Sequence, residues 1–364
     1  MKKSALIILF SYLLLNACAS TTATSPTFVV ETTDTATQTP TETAQLIPTA
    51  TPTPVMFYGA HFLVVFYDMA ILPNQEVWAV GDHGIIVHDY VQSYNLVESF
   101  AYIGDYGFGG DGFLNSVDFI SPDDGWLTGW GGQIFHWNGK EWTAIIPFDR
   151  NFITSWTDIK FASTNDGWVI GCNYDEYSGF IMHWDGNKWS DVSLINEIGR
   201  NNFCLYSLDV VSSVDVWTVG NDFKEGTILH WDGKKWNELP SSQNMRYVVD
   251  ISALSNSDVW VAQADGSLDS TIFHWDGSAW DDTYLPISFS LGNTAKGVSI
   301  LAISPNDVWA GGRGLFHWDG KEWKDSHYDA KYGFIIDIEK LSDGTIWAMT
   351  HTGVTLRLFK DDNK

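Results

Sequence analysis

A nine-residue phrase constrains this chain more than any other feature. Ile/Leu-x-His-Trp-Asp/Asn-Gly-x-x-Trp occurs at Ile134–Trp142, Ile181–Trp189, Ile228–Trp236, Ile272–Trp280 and Leu315–Trp323. Upstream of each stands a second phrase, Asp-Gly/Val-Trp-x-x-Gly, at Asp124–Gly129, Asp166–Gly171, Asp215–Gly220 and Asp307–Gly312, with Asp258–Gln263 ending on glutamine instead. Degenerate copies flank the series, Glu76–Gly81 with Val87 and His88, and Thr345–Trp347 with Leu356–Phe359. The leading tryptophans are Trp78, Trp126, Trp168, Trp217, Trp260, Trp309 and Trp347, spaced 38 to 49 residues apart. A repeat of about 44 residues has the size of a propeller blade of four short strands.

Each unit divides accordingly. In the fourth, the runs Leu205–Val211, Val216–Gly220, Thr227–Trp231 and Trp236–Leu239 read as four strands. An Asp-Gly or Asn-Gly between the third and fourth is a type I′ hairpin signal, because both turn residues there need positive φ. A two-residue loop Asp232-Gly233 places Trp231 opposite Lys234, His230 opposite Lys235 and Leu229 opposite Trp236. Side chains alternate along a strand, so Leu229, Trp231 and Trp236 share one face and His230 takes the other. No useful length of helical periodicity competes. Seventeen of the 19 tryptophans occupy the three repeat positions; Trp130 and Trp156 do not. Wide flat side chains are needed where blades diverge toward the rim, so those seventeen read as packing. The expectation is an all-β, seven-bladed β-propeller of four-stranded blades over 55–364. The last unit lacks a fourth strand, and Val55–Tyr58 is the segment expected to supply it and close the ring.

What precedes the repeat is of another kind. Lys2 and Lys3 followed by the apolar run Ala5–Leu15 fit a secretory signal, too short to span a bilayer. Leu15-Asn16-Ala17-Cys18 resembles the lipobox of bacterial lipoproteins, which implies residues 1–17 as signal peptide and a lipidated Cys18. Residues 19–54 hold 14 Thr and 5 Pro, so 18–54 reads as the lipidated cysteine and a disordered, partly extended spacer. The chain is therefore expected to be exported and lipid-anchored at the cell envelope, on its extracytoplasmic side. In that setting Cys172 and Cys204, both assigned to loops on one face, are expected to pair as a disulfide.

Composition removes other classes. Forty-five Asp and Glu against 20 Lys and Arg give a net charge of −25, which argues against nucleic acid and against anionic membrane surfaces as partners. A hydrophobic content of 45% excludes disorder along the whole length.

The joined pattern, as in Gly125–Trp142, resembles the bacterial propellers grouped as BNR-like or YCF48-like repeat proteins. The resemblance covers about 55–364 and implies the propeller fold; for function it implies a range, from assembly factors to sugar binders and sialidases. The sialidase Asp-box is absent, and Ser342–Trp347 matches it only in part.

Candidate sites follow from the fold. His136, His183, His230, His274 and His317, with His88, recur once per blade, and equivalent positions in stacked sheets lie about 10 Å apart, too far to share one metal ion. They read as cross-strand partners, with Glu141 and Glu322 opposite two of them; no metal and no cofactor are expected. The connections between strands two and three, and from strand four to the next blade, emerge on one face, and loops on a rigid scaffold commonly carry function. The ligand-binding candidates there are Asp105, Tyr106, Phe108, Asp111, Trp130, Arg150, Trp156, Tyr174, Asp175, Tyr177, Arg200, Arg246 and Tyr247. Asp105 and Asp111 offer carboxylates to a calcium ion but lack an EF-hand spacing. Arg150, Arg200 and Arg246, in successive loops, suit a sialidase-like carboxylate clamp, yet no catalytic residue can be assigned and no enzyme is expected. These loops differ strongly in length, which favours one asymmetric interface over equivalent sugar pockets. The expectation is a monomeric binding or assembly scaffold for an unidentified protein partner, touching the membrane only through its anchor; the alternatives are a lectin-like module for a surface glycan and, further off, a sialidase-like glycoside hydrolase.

Overall fold

The computed structural model describes residues 65–358 except 75, 91–99, 103–111, 146–153, 223, 243, 265–269, 286–296, 330, 332 and 354. The signal, the spacer and the expected closing strand Val55–Tyr58 lie outside the described residues.

Seven antiparallel sheets follow one another along the chain, six of four strands and a last of three. Their first strands are Phe66–Ile71, Leu114–Ser121, Thr154–Ser163, Cys204–Ser212, Val248–Ser255, Ser299–Ser304 and Ile335–Lys340. Each first strand packs against that of the next sheet, and the seventh packs against the first. The first strands therefore surround an axis, and the sheets are the blades of a closed seven-bladed β-propeller. In blade 4 the four strands run Cys204–Ser212, Asp215–Asn221, Gly226–Trp231 and Trp236–Leu239, close to the sequence assignment.

The core is divided as this geometry requires. The buried apolar clusters each join two neighbouring blades: Trp78, Val80 and Ile86 with Leu127 and Phe135, for example, or Trp168, Ile170 and Ile181 with Leu205, Leu229 and Trp236. The last cluster joins Ile336, Trp347 and Met349 of blade 7 to Phe66, Met69 and Val77 of blade 1. Burial thus runs around all seven interfaces of the ring.

The three tryptophans of each of the five complete units do different work. The leading one is a wedge: Trp126 lies 5.2 Å from Phe161, 5.1 Å from Trp184 and 5.7 Å from Trp189 of the next blade, and Trp260 packs likewise on Trp318 and Trp323. The third-strand tryptophan donates its indole N–H to a carbonyl in the first hairpin of its own blade, as Trp137 does to Pro122 and Trp184 to Thr164. The fourth-strand tryptophan lies directly across from it, Trp231 facing Trp236.

That register corrects the expected one. Trp231 pairs with Trp236, His230 with Asn237 and Leu229 with Glu238, and the strands end at Trp231 and resume at Trp236, so the loop is the four residues 232–235 rather than Asp232 and Gly233 alone. The reason is chemical: Asp232 Oδ1 accepts the backbone N–H groups of Lys234 and Lys235, at 2.9 and 3.0 Å, so its carboxylate organises a wider turn. Only Gly233 has positive φ, at +84°. A Cβ there would also stand 2.8 Å from Val214 Cβ. Gly233→Ala is expected to cost roughly 1–2 kcal/mol, read as a shift in the urea midpoint at unchanged slope; an unshifted midpoint would show that the turn tolerates a side chain.

The histidines are also re-partnered. Glu141 and Glu322 do not face them; His136 pairs with Thr143 and His317 with Lys324. Each Nε2 instead lies 2.8–2.9 Å from the aspartate that opens the second strand of its blade, His136 with Asp124, His183 with Asp166, His230 with Asp215, His274 with Asp258 and His317 with Asp307. The imidazole stacks on the leading tryptophan, 4.0 Å between Trp217 and His230. In blade 1 Glu76 takes the aspartate's place, 3.4 Å from His88. Among the described residues no group of His, Cys, Asp or Glu is arranged to hold a metal ion.

Candidate functional site

The glycine that closes Trp-x-x-Gly shapes the loop face. In blade 4, Leu205 pairs with Gly220 and Ser207 with Val219, so Tyr206 is an extra residue bulged out of the ladder. A Cβ on Gly220 would collide with the Cys204 carbonyl, so only glycine allows the close approach. Such a bulge re-aims the inserted side chain, and here it delivers Tyr206 to the loop face.

Tyr206 meets the loop of blade 3 there. Asn173 pairs with Ser178, and Asn173 Oδ1 accepts the N–H groups of Asp175 and Glu176 at 3.0 and 3.2 Å, turning the chain through Tyr174–Tyr177. Tyr177 takes φ +49°, a left-handed conformation uncommon outside glycine, and is held by its hydroxyl, which donates to Asn221 Oδ1 at 2.7 Å. The Tyr206 hydroxyl interacts with Tyr177 and Asn221. Burial raises the phenol of Tyr206 well above its ordinary range, with Tyr177 adding to the effect. Tyr247 lies near enough to act electrostatically on both. At the other end Trp130 stacks on Tyr174, centroids 6.0 Å apart and planes 13° from parallel. Trp130, Tyr174, Tyr177, Tyr206 and Tyr247 thus form one row crossing blades 2 to 5.

Cys172 and Cys204 form a disulfide with Cα atoms 4.9 Å apart. They lie at strand ends rather than in loops, Cys172 just before the Asn173 turn and Cys204 opening the strand that carries Tyr206. Both are fully buried. The bridge therefore ties the loop bearing Tyr174 and Tyr177 to the strand bearing Tyr206.

Other candidates fall elsewhere. Trp156 sits inside the innermost strand of blade 3, 2% exposed, and packs with Trp126, Met182 and Trp189; it is core, which removes it as a surface for a ligand. Its lack of the repeat phrase had set it apart, but the periodicity of a bulged first strand is hard to see in sequence. Arg200 is fully engaged, its guanidinium bound to Glu238 and to Asp222 (3.1 Å) and lying 5.0 Å over the Phe203 ring. Its fork is therefore occupied by this chain's own carboxylates rather than open to a ligand. Arg246 is exposed beside Tyr247, and its N–H donates to Gln263 Oε1 at 2.7 Å, the glutamine that replaces the motif glycine of blade 5. Asp105, Tyr106, Phe108, Asp111 and Arg150 lie outside the described residues.

A second constellation, which the sequence reading did not single out, surrounds the axis. Asp68 accepts the Val117 N–H, Asp118 that of Phe161, Asp158 that of Leu208, Asp209 that of Ala253, Asp250 that of Ile300, and Asp337 that of Met69, all at 2.6–3.1 Å. In every case a carboxylate of one blade binds the backbone of the following blade, and Glu339 repeats the contact from blade 7 to Ile71 of blade 1. Lys160 stands among them. Burial pushes its ammonium down, but Asp118, Asp68, Glu339 and Asp158 overcome this and hold it well above the ordinary lysine range. Burial lifts Asp209 to about 6, against the Ala253 N–H and Lys160, and lifts Asp118 and Glu339 as well.

The fold and this face define a β-propeller with a loop-side aromatic surface. No family model matches the chain, and no curated protein matches it in sequence. Solved structures do match in fold. The structure of YCF48 bound to D1 peptide superposes with a TM-score of 0.59 at 18% identity, covering 82% of this chain and 93% of that one. YCF48 from Cyanidioschyzon merolae gives 0.57 at 15%, covering 83% and 97%. U3-55K gives 0.61 at 12%, covering 82% and 96%. The chain is thus structurally similar to YCF48 seven-bladed propellers at low identity.

Proposed function

We propose that this protein is an exported, lipid-anchored scaffold that holds a polypeptide partner on its loop face. One observation carries the reading. Among the described residues the large aromatics left exposed are Trp130 at 39%, Tyr174 at 40% and Tyr247 at 42%, and all three belong to the row across blades 2 to 5. A rigid scaffold that buries or half-buries every other tryptophan described has no packing reason to expose these, and aromatic side chains are favoured at interface centres. The propeller of YCF48, similar in fold, has been solved bound to D1 peptide, which supports a peptide-sized ligand.

Panning a random-peptide phage library against the wild type and against Trp130→Ala/Tyr174→Ala tests the reading. Enrichment of sequences that bind the wild type at least tenfold more tightly than the variant is the expected result. The row also offers ring faces beside Asp175, an arrangement that suits sugars; a glycan array giving specific binding lost in the same variant, with no peptide enriched, would replace the scaffold reading by a lectin. The reading includes no catalytic step, and release of reducing sugar by the purified protein would overturn that part.

The anchor is part of the same proposal and rests on Leu15–Cys18 and the Thr/Pro spacer. Labelled palmitate is expected to enter the wild type in cells and not Cys18→Ala; equal labelling would refute it.

A further inference from the structure

The row has an electrical direction. Asp175 and Glu176 project from the turn that carries Tyr174, both exposed, and neither carboxylate has an ion-pair partner among the described residues. Arg200 of the neighbouring blade is held by Glu238 and Asp222. At the far end, beside Tyr247, stands the exposed Arg246. The hydroxyls in the middle are already spent on one another, Tyr206 with Tyr177 and Tyr177 with Asn221. What the row offers a partner is therefore ring faces along its length and unpaired negative charge at one end, with few free hydrogen-bonding groups between.

That combination discriminates among ligands. A sugar needs its hydroxyls satisfied, and the committed phenols provide little for them. An extended polyproline II segment suits the row better, because it presents flat pyrrolidine rings at regular intervals, is already ordered before binding, and leaves its side chains free to reach charges at the edge. A cation among those side chains would gain both the carboxylates and the faces of Trp130 and Tyr174.

We propose that the aromatic row over blades 2 to 5 binds an extended, proline-containing segment of a partner protein, with a Lys or Arg of that segment set against Asp175 and Glu176. This rests on the scaffold reading above and narrows it. The strong acidity of the chain, −25 overall, would steer a basic segment toward the face.

Fluorescence anisotropy on the full chain tests it with three labelled probes: peptides of repeating Pro-Pro-Arg, Pro-Pro-Glu and Gly-Ser-Arg. The Pro-Pro-Arg probe is expected to bind at least tenfold more tightly than either other, and to weaken as salt rises. Trp130→Ala is expected to lower its affinity tenfold or more. Asp175→Asn/Glu176→Gln, whose side chains are exposed, is expected to keep the wild-type melting temperature and to lose the preference for Arg over Glu. Equal binding of the Pro-Pro-Arg and Pro-Pro-Glu probes, or an unchanged preference in the double variant, overturns the cationic element. Binding of Gly-Ser-Arg as tight as Pro-Pro-Arg overturns the polyproline element while leaving the scaffold reading intact. Failure of all three probes, together with binding of an oligosaccharide such as chitohexaose that Trp130→Ala abolishes, overturns both.

Discussion

Lys160→Met is expected to destabilise the propeller by about 3–5 kcal/mol, the range for removing one partner from a buried set of charges. Lys160 acts on carboxylates of five blades, Asp68, Asp118, Asp158, Asp209 and Glu339, which only a position near the axis allows. Each of these carboxylates accepts a backbone N–H of the following blade, at five of the seven interfaces. Without the ammonium they repel one another where the ring is narrowest, while the hydrogen bonds they make stay in place. The cost should depend on pH, and the sign follows from the direction of the shifts. Burial lifts Asp209 from the ordinary carboxylate range to about 6, so the folded state holds this proton more tightly than the unfolded chain. Its contribution is complete below about pH 4 and is lost as pH rises through 6. Glu339 and Asp118 are lifted too and act in the same direction. The turn aspartates work the other way: Asp276 is held down to about 2 by the Ser278 hydroxyl and neighbouring N–H groups, so its contribution is lost only as pH falls toward 2, outside the window. The wild type is therefore expected to melt a few degrees higher at pH 5 than at pH 8. Lys160→Met should widen that gap, because protonation partly replaces the missing cation. Calorimetry of both proteins at the two pH values measures it. A variant that loses the same stability at both would mean that Lys160 acts through its hydrocarbon stem alone.

How much of this was legible in the sequence depended on what each residue does. The blades were, because Trp168 or Trp217 recurs with fixed neighbours and each blade needs the same wedge. Strand boundaries in blade 4 were, since Gly and Asp punctuate them. Register was not: Asp232-Gly233 carries the hairpin signal whether the loop has two residues or four, and only the acceptance of two N–H groups by its carboxylate decides. The His–Asp pairs escaped because the partner lies across the second strand, not across the Asp-Gly turn. At the face, Tyr174, Tyr177 and Tyr247 were visible as loop aromatics. Tyr206 was not, because it sits in an apolar run that reads as strand, and a one-residue bulge leaves no mark in composition. Trp156 misled for the same reason, an inner-strand residue outside the repeat phrase. The axial aspartates were in view at Tyr67-Asp68 and Val249-Asp250, which align, but an alignment does not say that a carboxylate reaches the next blade's backbone.

Trp168→Ala should show how unevenly the tryptophans share the packing. Trp168 is 2% exposed and lies 5.3 Å from both Trp231 and Trp236 of blade 4, edge-on to the second, with His183 tilted against it at 4.3 Å. Truncation would leave a cavity between two blades whose backbones are fixed by the ring and, on this interface, by the Cys172–Cys204 bridge. A site that cannot collapse shows the upper part of the range for large-to-small changes, and the expected loss is about 3–5 kcal/mol. Trp137→Ala, at a half-buried third-strand position bonded to Pro122, should cost distinctly less. The double variant Trp168→Ala/Trp236→Ala should cost less than the sum of the singles by about 0.5–1.5 kcal/mol, the usual extra for an edge-to-face aromatic pair. Urea unfolding of the wild type, the three single variants and the double variant gives every term. Additive losses would mean that each indole packs on aliphatic neighbours rather than on the other, and a loss near 1 kcal/mol for Trp168→Ala would mean that the blades close over the gap, contrary to a ring held rigid from axis to rim.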